Sequence, residues 1–225
     1  MNSRSVPNWI NRSLMLMCSA MSLIVLGGCG DSSNSAATAG RDSRQVAAAP
    51  AQAGTLIVTR ADGTPAWTLR VDGNHVEVAG PDGARLIGDR RGDKRRYRRE
   101  SDGNAVAEVK FSDQGFKLRT PDSQLLWKVK FGDEKIKISN NEQNQYPWVL
   151  KTGYSDKAKI MAPSESEIGE VRFQGERTKV KDAAGNEQYL IDTAQRSAAF
   201  GVLQMTDIPD EQRSILMVEL LASGR

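Results

Sequence analysis

Regularly spaced turns constrain the fold of this 225-residue chain more than any other feature of its sequence. Asp-Gly pairs stand at 62–63, 72–73, 82–83 and 102–103, at intervals that are multiples of about ten residues. An Asp-Gly pair supplies the positive backbone φ that a tight hairpin turn needs. Strands separated by turns at this spacing are typical of all-β sandwiches and barrels.

The segments between the turns alternate apolar and charged side chains. In residues 125–131, Trp127 and Val129 fall on one side of an extended strand, whereas Lys128 and Lys130 fall on the other. A period of two gives each strand one buried and one wetted face. We therefore expect a mainly β fold, an antiparallel meander of about 12 strands closed into a barrel, because closure removes exposed strand edges. A β-sandwich or two tandem small β units are the alternatives.

An internal repeat of about 60 residues runs through this region. Residues 67–78 align without gaps to residues 127–138, with a Trp and a turn in the same register. A second, shorter similarity, offset by 62 residues, pairs residues 108–111 with residues 170–173. These offsets predict that residues 55–191 form one β-rich domain, built from two copies of a β unit and a partial third.

Residues 192–225 lose the strand pattern. Asp192 can cap a first helix, and Pro209 suits the first turn of a second. Residues 214–222 are apolar nearly all round, with Glu219 as the exception. A helix of this kind is buried or membrane-bound, and this one is too short to span a bilayer. We therefore expect a short hydrophobic C-terminal helix or helix pair, packed on or in the β domain.

The N-terminal residues have the layout of an export signal. A polar segment with Arg4 and Arg12 precedes an apolar run at 13–26, and small residues follow before Cys29. The run is shorter than the roughly 20 residues that a membrane-spanning helix needs. This order of segments is typical of a cleaved signal peptide.

The sequence Leu-Gly-Gly-Cys at 26–29 resembles the lipobox of bacterial lipoprotein signal peptides. The resemblance implies that residues 1–28 are removed and that Cys29 becomes the acylated N-terminus, holding the chain to a membrane of the cell envelope. Several acyl chains anchor a protein stably, where one would be marginal. In enterobacterial lipoproteins, an Asp directly after the acylated Cys retains the protein in the inner membrane. Gly30 stands at that position here, so the resemblance implies the outer membrane, facing the periplasm. Asp31 is one position further on, and the inner membrane therefore stays an alternative. The alternative is an uncleaved helix with an unmodified Cys29.

Residues 29–54 are rich in Ser, Ala, Gly and Pro. This composition cannot bury a core and predicts a flexible tether. By random-coil scaling it spans roughly 25–30 Å, enough to hold a folded domain off the bilayer.

The Asp-Gly turns, the Asp-to-Trp segments at 62–67 and 122–127 and the hydrophobic C-terminal helix together resemble the tubby, LURP-one and phospholipid-scramblase superfamily. Over residues 55–225, the resemblance implies a barrel of about twelve strands that wraps a buried C-terminal helix. It also implies an alternative function, in lipid binding or lipid remodelling, with the helix as a plug or a seat for an acyl chain.

The residues that catalysis or metal binding would need are scarce. The chain has a single histidine, His75, and two cysteines, so it cannot assemble a zinc cluster. It has no Gly-x-Ser-x-Gly nucleophile elbow and no phosphate-binding loop. We predict a non-enzymatic protein with no metal and no cofactor; an enzyme that uses His75 is the alternative.

A dense basic run is the one electrostatic anomaly, with seven cations within ten residues. Guanidinium groups bind phosphate in a bidentate manner, so the run predicts an anion-binding hairpin. The expected partners are anionic lipid, lipopolysaccharide, peptidoglycan or an envelope protein. Nucleic acid is not expected, because the net charge is only +3 and the predicted compartment lacks it. The alternative is a solvated hairpin whose charges protect a strand edge. The seven cations are Arg90, Arg91, Lys94, Arg95, Arg96, Arg98 and Arg99.

An aromatic segment, Tyr146-Pro147-Trp148, follows a stretch rich in Asn and Gln. It is interpreted as a loop that packs against one end of the barrel, or as a rim that contacts a ligand or partner.

Overall fold

The computed structural model describes residues 54–225, whose 14 strands form one closed antiparallel barrel. Each strand pairs with the next along the chain, and the last pairs with the first. The predicted mainly β barrel is confirmed, with 14 strands instead of about 12, and the sandwich and tandem-unit alternatives are wrong. The strands are β1 (Gly54–Arg60), β2 (Pro65–Asp72), β3 (His75–Ala79), β4 (Arg85–Arg91), β5 (Lys94–Arg99), β6 (Ala105–Ser112), β7 (Gly115–Arg119), β8 (Leu125–Phe131), β9 (Lys135–Ser139), β10 (Trp148–Lys151), β11 (Lys157–Met161), β12 (Glu167–Gln174), β13 (Arg177–Asp182) and β14 (Glu187–Asp192).

The export and anchoring features lie outside the described residues. This applies to the signal peptide expected over 1–28, to the acylation expected at Cys29 and to the tether expected over 29–54, except for Gly54, which begins β1.

The Asp-Gly turns act as the sequence predicts. Gly63, Gly83 and Gly103 have φ angles of 85°, 77° and 70°. In all three turns the Asp side chain, at 62, 82 and 102, accepts a hydrogen bond from the backbone N–H two residues further on. Such a bond stabilises the turn locally, so each hairpin closes without long-range contacts.

The C-terminal segment begins with a 3-10 helix, Ala198–Gln204, and not with the longer helix expected after Asp192. Asp192 is still paired with Arg177 at the end of β14, so it cannot cap a helix. Ser197 caps the 3-10 helix instead, and its hydroxyl accepts a hydrogen bond from the N–H of Ala199 at 3.1 Å.

The α-helix α1 spans Asp210–Ala222 and lies inside the barrel. Residues 213–221 are all buried, which leaves this helix no wetted face. Its side chains meet strands on different sides, because Ser214 accepts a hydrogen bond from Trp67 on β2 and Gln212 accepts one from Trp127 on β8, six strands away. No helix within residues 54–225 is long and apolar enough to cross a membrane.

The repeat offsets relate strands that lie six apart in the barrel. An offset of 60 places β2 and β3 on β8 and β9, and an offset of 62 places β8 on β14. The corresponding aromatic residues are Trp67, Trp127 and Tyr189. The two indole N–H groups donate to Ser214 and Gln212 in the first turns of α1, at 3.0 and 2.6 Å. The Trp67 ring meets the Tyr189 ring edge-on, with 5.7 Å between ring centroids.

Candidate functional site

The predicted basic run at 90–99 is divided by the alternation of β5. Arg95 and Tyr97 point into the barrel and are 1% and 0% exposed, whereas Lys94, Arg96 and Arg98 point outward. The structure therefore does not bring Arg95 together with the surface cations.

Arg95 forms a buried charged cluster with α1. Its Nη1 donates to Glu219 Oε2 at 2.7 Å, and the Tyr97 hydroxyl donates to Glu219 Oε1 at 2.6 Å. Burial raises the pKa of Glu219, and the Arg95 charge opposes that rise. Glu219 is thus a buried carboxylate that the sequence alone did not single out as part of a site. The available signal was Glu219 itself, the single charge in an apolar segment.

Gly88 on β4 makes room for this cluster. A Cβ atom at Gly88 would lie 2.8 Å from Tyr97 and Val76 side-chain atoms and 2.9 Å from Arg95 Cδ. The interior is close-packed at this point, so any larger residue would displace the cluster.

The outward half of the basic run is largely neutralised. Glu108 on β6 accepts from both Lys94 and Arg96, at 2.7 and 3.2 Å, and Asp89 accepts from Arg98 at 2.8 Å. The remaining members differ in their surroundings: Arg99 pairs with Glu211, Arg90 stacks 4.2 Å from the centre of the Phe111 ring, and Arg91 has no ion pair within residues 54–225.

Strand register extends the basic surface well beyond the hairpin. Five cations stand directly opposite one another across β4 to β8. On the next strands of the barrel, Lys130 of β8 faces Lys137 of β9, and Lys135 of β9 faces Lys151 of β10. In the described part of the chain, these four lysines have no carboxylate at ion-pair distance. We call these nine residues the basic face: Arg91, Lys94, Lys110, Lys117, Lys128, Lys130, Lys135, Lys137 and Lys151.

Only a few carboxylates oppose this face. Glu142, in the loop after β9, meets Lys117 at 2.7 Å, Arg119 at 3.1 Å and Lys128 at 3.9 Å. Lys117 is the main reason that the pKa of Glu142 is lowered. One carboxylate is thus shared among three cations.

The opposite side of the barrel pairs its charges differently. Lys159, Glu170, Lys181 and Glu187 alternate in sign along one row from β11 to β14. Opposite charges across strands stabilise a sheet, whereas like charges directly opposite destabilise it. Lys157, Arg172 and Lys179 also stand opposite one another on these strands, but each lies within 3.3 Å of a carboxylate. The four lysines of the two facing pairs on β8 to β10 have no such partner within residues 54–225, and this is what distinguishes the basic face.

The aromatic segment that follows β9 divides in the same way as the basic run. Trp148 points into the barrel, but the Tyr146 side chain is 80% exposed. The packing interpretation thus fits Trp148, whereas contact of Tyr146 with a ligand or partner stays a prediction.

His75 lies on the outer surface between two carboxylates. Its Nδ1 is 2.8 Å from Asp89 Oδ1 and its Nε2 is 3.1 Å from Glu77 Oε1. Hydrogen bonds to Asp89 and then to Glu77 raise the pKa of His75 above 6.5.

This arrangement predicts a pH-dependent contribution of His75 to stability. Because the folded-state pKa is raised, the contribution is complete below pH 6.5 and is lost as the pH rises through the raised pKa. The effect should stay below about 1 kcal/mol, because solvent screens this partly exposed group. Urea unfolding on either side of pH 6.5 should show a stability slope that His75→Gln removes. An unchanged slope in the variant would contradict this assignment.

Within residues 54–225, no group of three His, Cys, Asp or Glu side chains is arranged to hold a metal ion. No protein-family model matches the chain, and no curated protein matches it. A solved structure of a protein from Arabidopsis thaliana is similar, with 11% sequence identity and a TM-score of 0.30, and the match covers 69% of this chain and 85% of the plant protein. A similarity at this level carries no argument about function. Membership of the tubby, LURP-one and scramblase superfamily stays a prediction.

Proposed function

We propose that this chain is a lipid-anchored envelope protein of non-enzymatic type, which binds anionic envelope molecules on the basic face of its barrel. The observation that carries the proposal is the two facing lysine pairs, Lys130–Lys137 and Lys135–Lys151, which have no carboxylate at ion-pair distance within residues 54–225. They continue the row of five cations in register across β4 to β8. Like charges placed opposite one another cost folding free energy, which a bound anion would offset.

The anchor follows from the lipobox-like sequence that ends at Cys29. An acylated Cys29 would confine the barrel to the neighbourhood of a membrane, in our proposal the outer membrane on its periplasmic side. Anionic lipid, lipopolysaccharide and peptidoglycan are the anions within reach there. Each basic side chain near such a surface contributes about 1 kcal/mol.

The surroundings of His75 support a non-enzymatic role. Both of its ring nitrogens face carboxylates, and its raised pKa favours the imidazolium form. A general base needs a free ring nitrogen, and both nitrogens of His75 are within hydrogen-bond distance of carboxylates. In this arrangement His75 serves as one member of a surface charge cluster.

Lipid binding or remodelling is the second candidate function, favoured by the apolar helix enclosed in the barrel. Residues 213–221 of α1 already occupy the interior, so an acyl chain would have to displace them. Lipid that remains bound to the purified chain, detected by mass spectrometry, would favour this candidate over binding on the outer face.

The basic face is tested with the unacylated chain, Cys29→Ser, in co-sedimentation with peptidoglycan sacculi, anionic vesicles and neutral vesicles. The double variant Lys130→Gln/Lys137→Gln should bind anionic material about thirtyfold more weakly, because two near-surface charges are lost at about 1 kcal/mol each. Binding should also weaken as salt is raised. Stability should stay constant or rise slightly, because a like-charged pair is removed.

The matched control is Lys179→Gln/Lys181→Gln, which lowers the net charge by the same amount. These two lysines lie on β13, where Lys179 pairs with Glu187 and Lys181 stands opposite Glu170. An equal loss of binding in both double variants would show that net charge matters and the basic face does not.

A further inference from the structure

A trough crosses the outer surface of the barrel at β9, β10 and β11. Two depressions of about 620 Å³ each share Lys135 and Lys151 in their walls, so they meet at this lysine pair. Tyr146 lines one depression and Tyr154 lines the other. The result is an elongated recess with cations at its middle and an aromatic ring towards each end, and its walls also include the carboxylates of Asp133, Glu134 and Glu165.

The middle of the trough concentrates positive charge. Lys135 and Lys151 stand directly opposite each other on neighbouring strands, and both are exposed. Lys137, on the same face of β9, lines the depression that contains Tyr146. Within residues 54–225 none of the three forms an ion pair, so their ammonium groups are available to an anion.

Tyr146 is held in an unfavourable position for an aromatic residue. Its φ is 48°, in the left-handed region that bulky side chains avoid, and its ring is 80% exposed. Asn141 fixes the loop from both sides: it accepts from the N–H of Gln145 and donates to the carbonyl of the same residue, each at 2.8 Å. Folding gains nothing from exposing this ring, and such strain is typical of ligand sites.

Tyr154 is also oriented by its neighbours. The Nζ atoms of Lys157 and Lys159 lie 5.7 and 5.9 Å from the centre of its ring, within cation–π range. The apolar part of the trough wall comes from Pro147, Val149 and Met161.

We propose that this trough binds an acidic glycan chain. The inference rests on the proposed function and names the class of anion that this part of the surface accepts. A sugar ring offers an apolar face to an aromatic side chain, and its carboxylates would meet Lys135, Lys137 and Lys151. An extended glycan chain would run along the recess from Tyr146, past Lys135 and Lys151, to Tyr154.

An anionic bilayer is the competing ligand, and the shape of the site argues against it. Lipid headgroups present a flat surface, which would touch the rim of the trough and leave the recessed Val149 and Met161 uncovered. The lysines alone would suit either ligand, so the contribution of Tyr146 separates the two.

The test uses the full chain carrying Cys29→Ser, with polygalacturonate as the acidic glycan, dextran as the neutral glycan and phosphatidylglycerol vesicles as the lipid surface. The chain should bind polygalacturonate and not dextran. Tyr146→Ala and Lys135→Gln/Lys151→Gln should each weaken this binding about tenfold, whereas the control Lys179→Gln/Lys181→Gln should leave it nearly unchanged.

Three outcomes would overturn the glycan assignment while the proposed function stands: binding to vesicles but not to polygalacturonate, glycan binding that Tyr146→Ala does not weaken, or an equal loss in the lysine control. Failure to bind sacculi, vesicles and polygalacturonate alike would overturn the proposed function itself. Circular dichroism of each variant shows whether the barrel has folded.

Discussion

Glu219→Ala is expected to lower the free energy of unfolding by about 3–5 kcal/mol, because it leaves the buried Arg95 guanidinium without its counter-charge. The Arg95 side chain is 1% exposed, and its ion pair with Glu219 spans 2.7 Å. The Tyr97 hydroxyl would lose its acceptor in the same substitution. Urea unfolding of the full chain, followed by far-ultraviolet circular dichroism, measures the change.

Two further variants separate the buried pair from ordinary surface charge. Glu211→Ala removes a partly exposed partner of Arg99 on the same helix and should cost at most about 1 kcal/mol. The double variant Arg95→Met/Glu219→Met replaces both charges with apolar groups and should recover much of the stability. Equal losses from Glu219→Ala and Glu211→Ala would mean that burial of the pair has no special energetic weight.

Trp67→Ala is expected to be similarly destabilising, by about 3–5 kcal/mol, because it empties a large volume of the core. The ring is buried between β2 and α1, and its N–H donates to Ser214 at 3.0 Å. The substitution also removes the edge-on contact with Tyr189. The free energy of unfolding is again measured in urea, by circular dichroism, because the substitution changes tryptophan fluorescence.

Trp127→Ala is the matched control, since Trp127 is the repeat equivalent of Trp67. Its ring is only half-buried, so the loss should be about 1–2 kcal/mol, although its hydrogen bond to Gln212 is removed. A larger loss at Trp127 than at Trp67 would contradict the view that burial of the ring determines the cost.

Only part of the candidate site could be predicted from the sequence, and the basic run at 90–99 shows the reason. The density of charge at residues 90–99 is visible in the sequence. A period of two also places Arg95 on the same side of the strand as Tyr97, so its inward position could have been inferred from that ring. The neutralising partners could not be foreseen. Glu108 and Glu211 come from other elements, and strand register or helix placement decides which cations they reach.

The lysines of β8 to β10 were visible in the sequence as separate alternating residues. Whether they form a concentrated positive charge depends on strand pairing. Lys135 does so because it faces Lys151, which lies sixteen positions further along the chain. Tyr146 shows the same dependence, because its exposure follows from a loop conformation that Asn141 stabilises through side-chain hydrogen bonds.

By itself the sequence determined the features that arise between near neighbours. Asp-Gly turns close hairpins locally, and a period of two assigns each side chain to a face, so an antiparallel meander with a buried side could be derived from short segments alone. The tertiary structure decided the number of strands in the closed barrel, the position of α1 inside it, the pairing of Glu219 with Arg95 and the clustering of unpaired lysines. These features depend on register and closure between residues far apart in the chain, which no local pattern specifies.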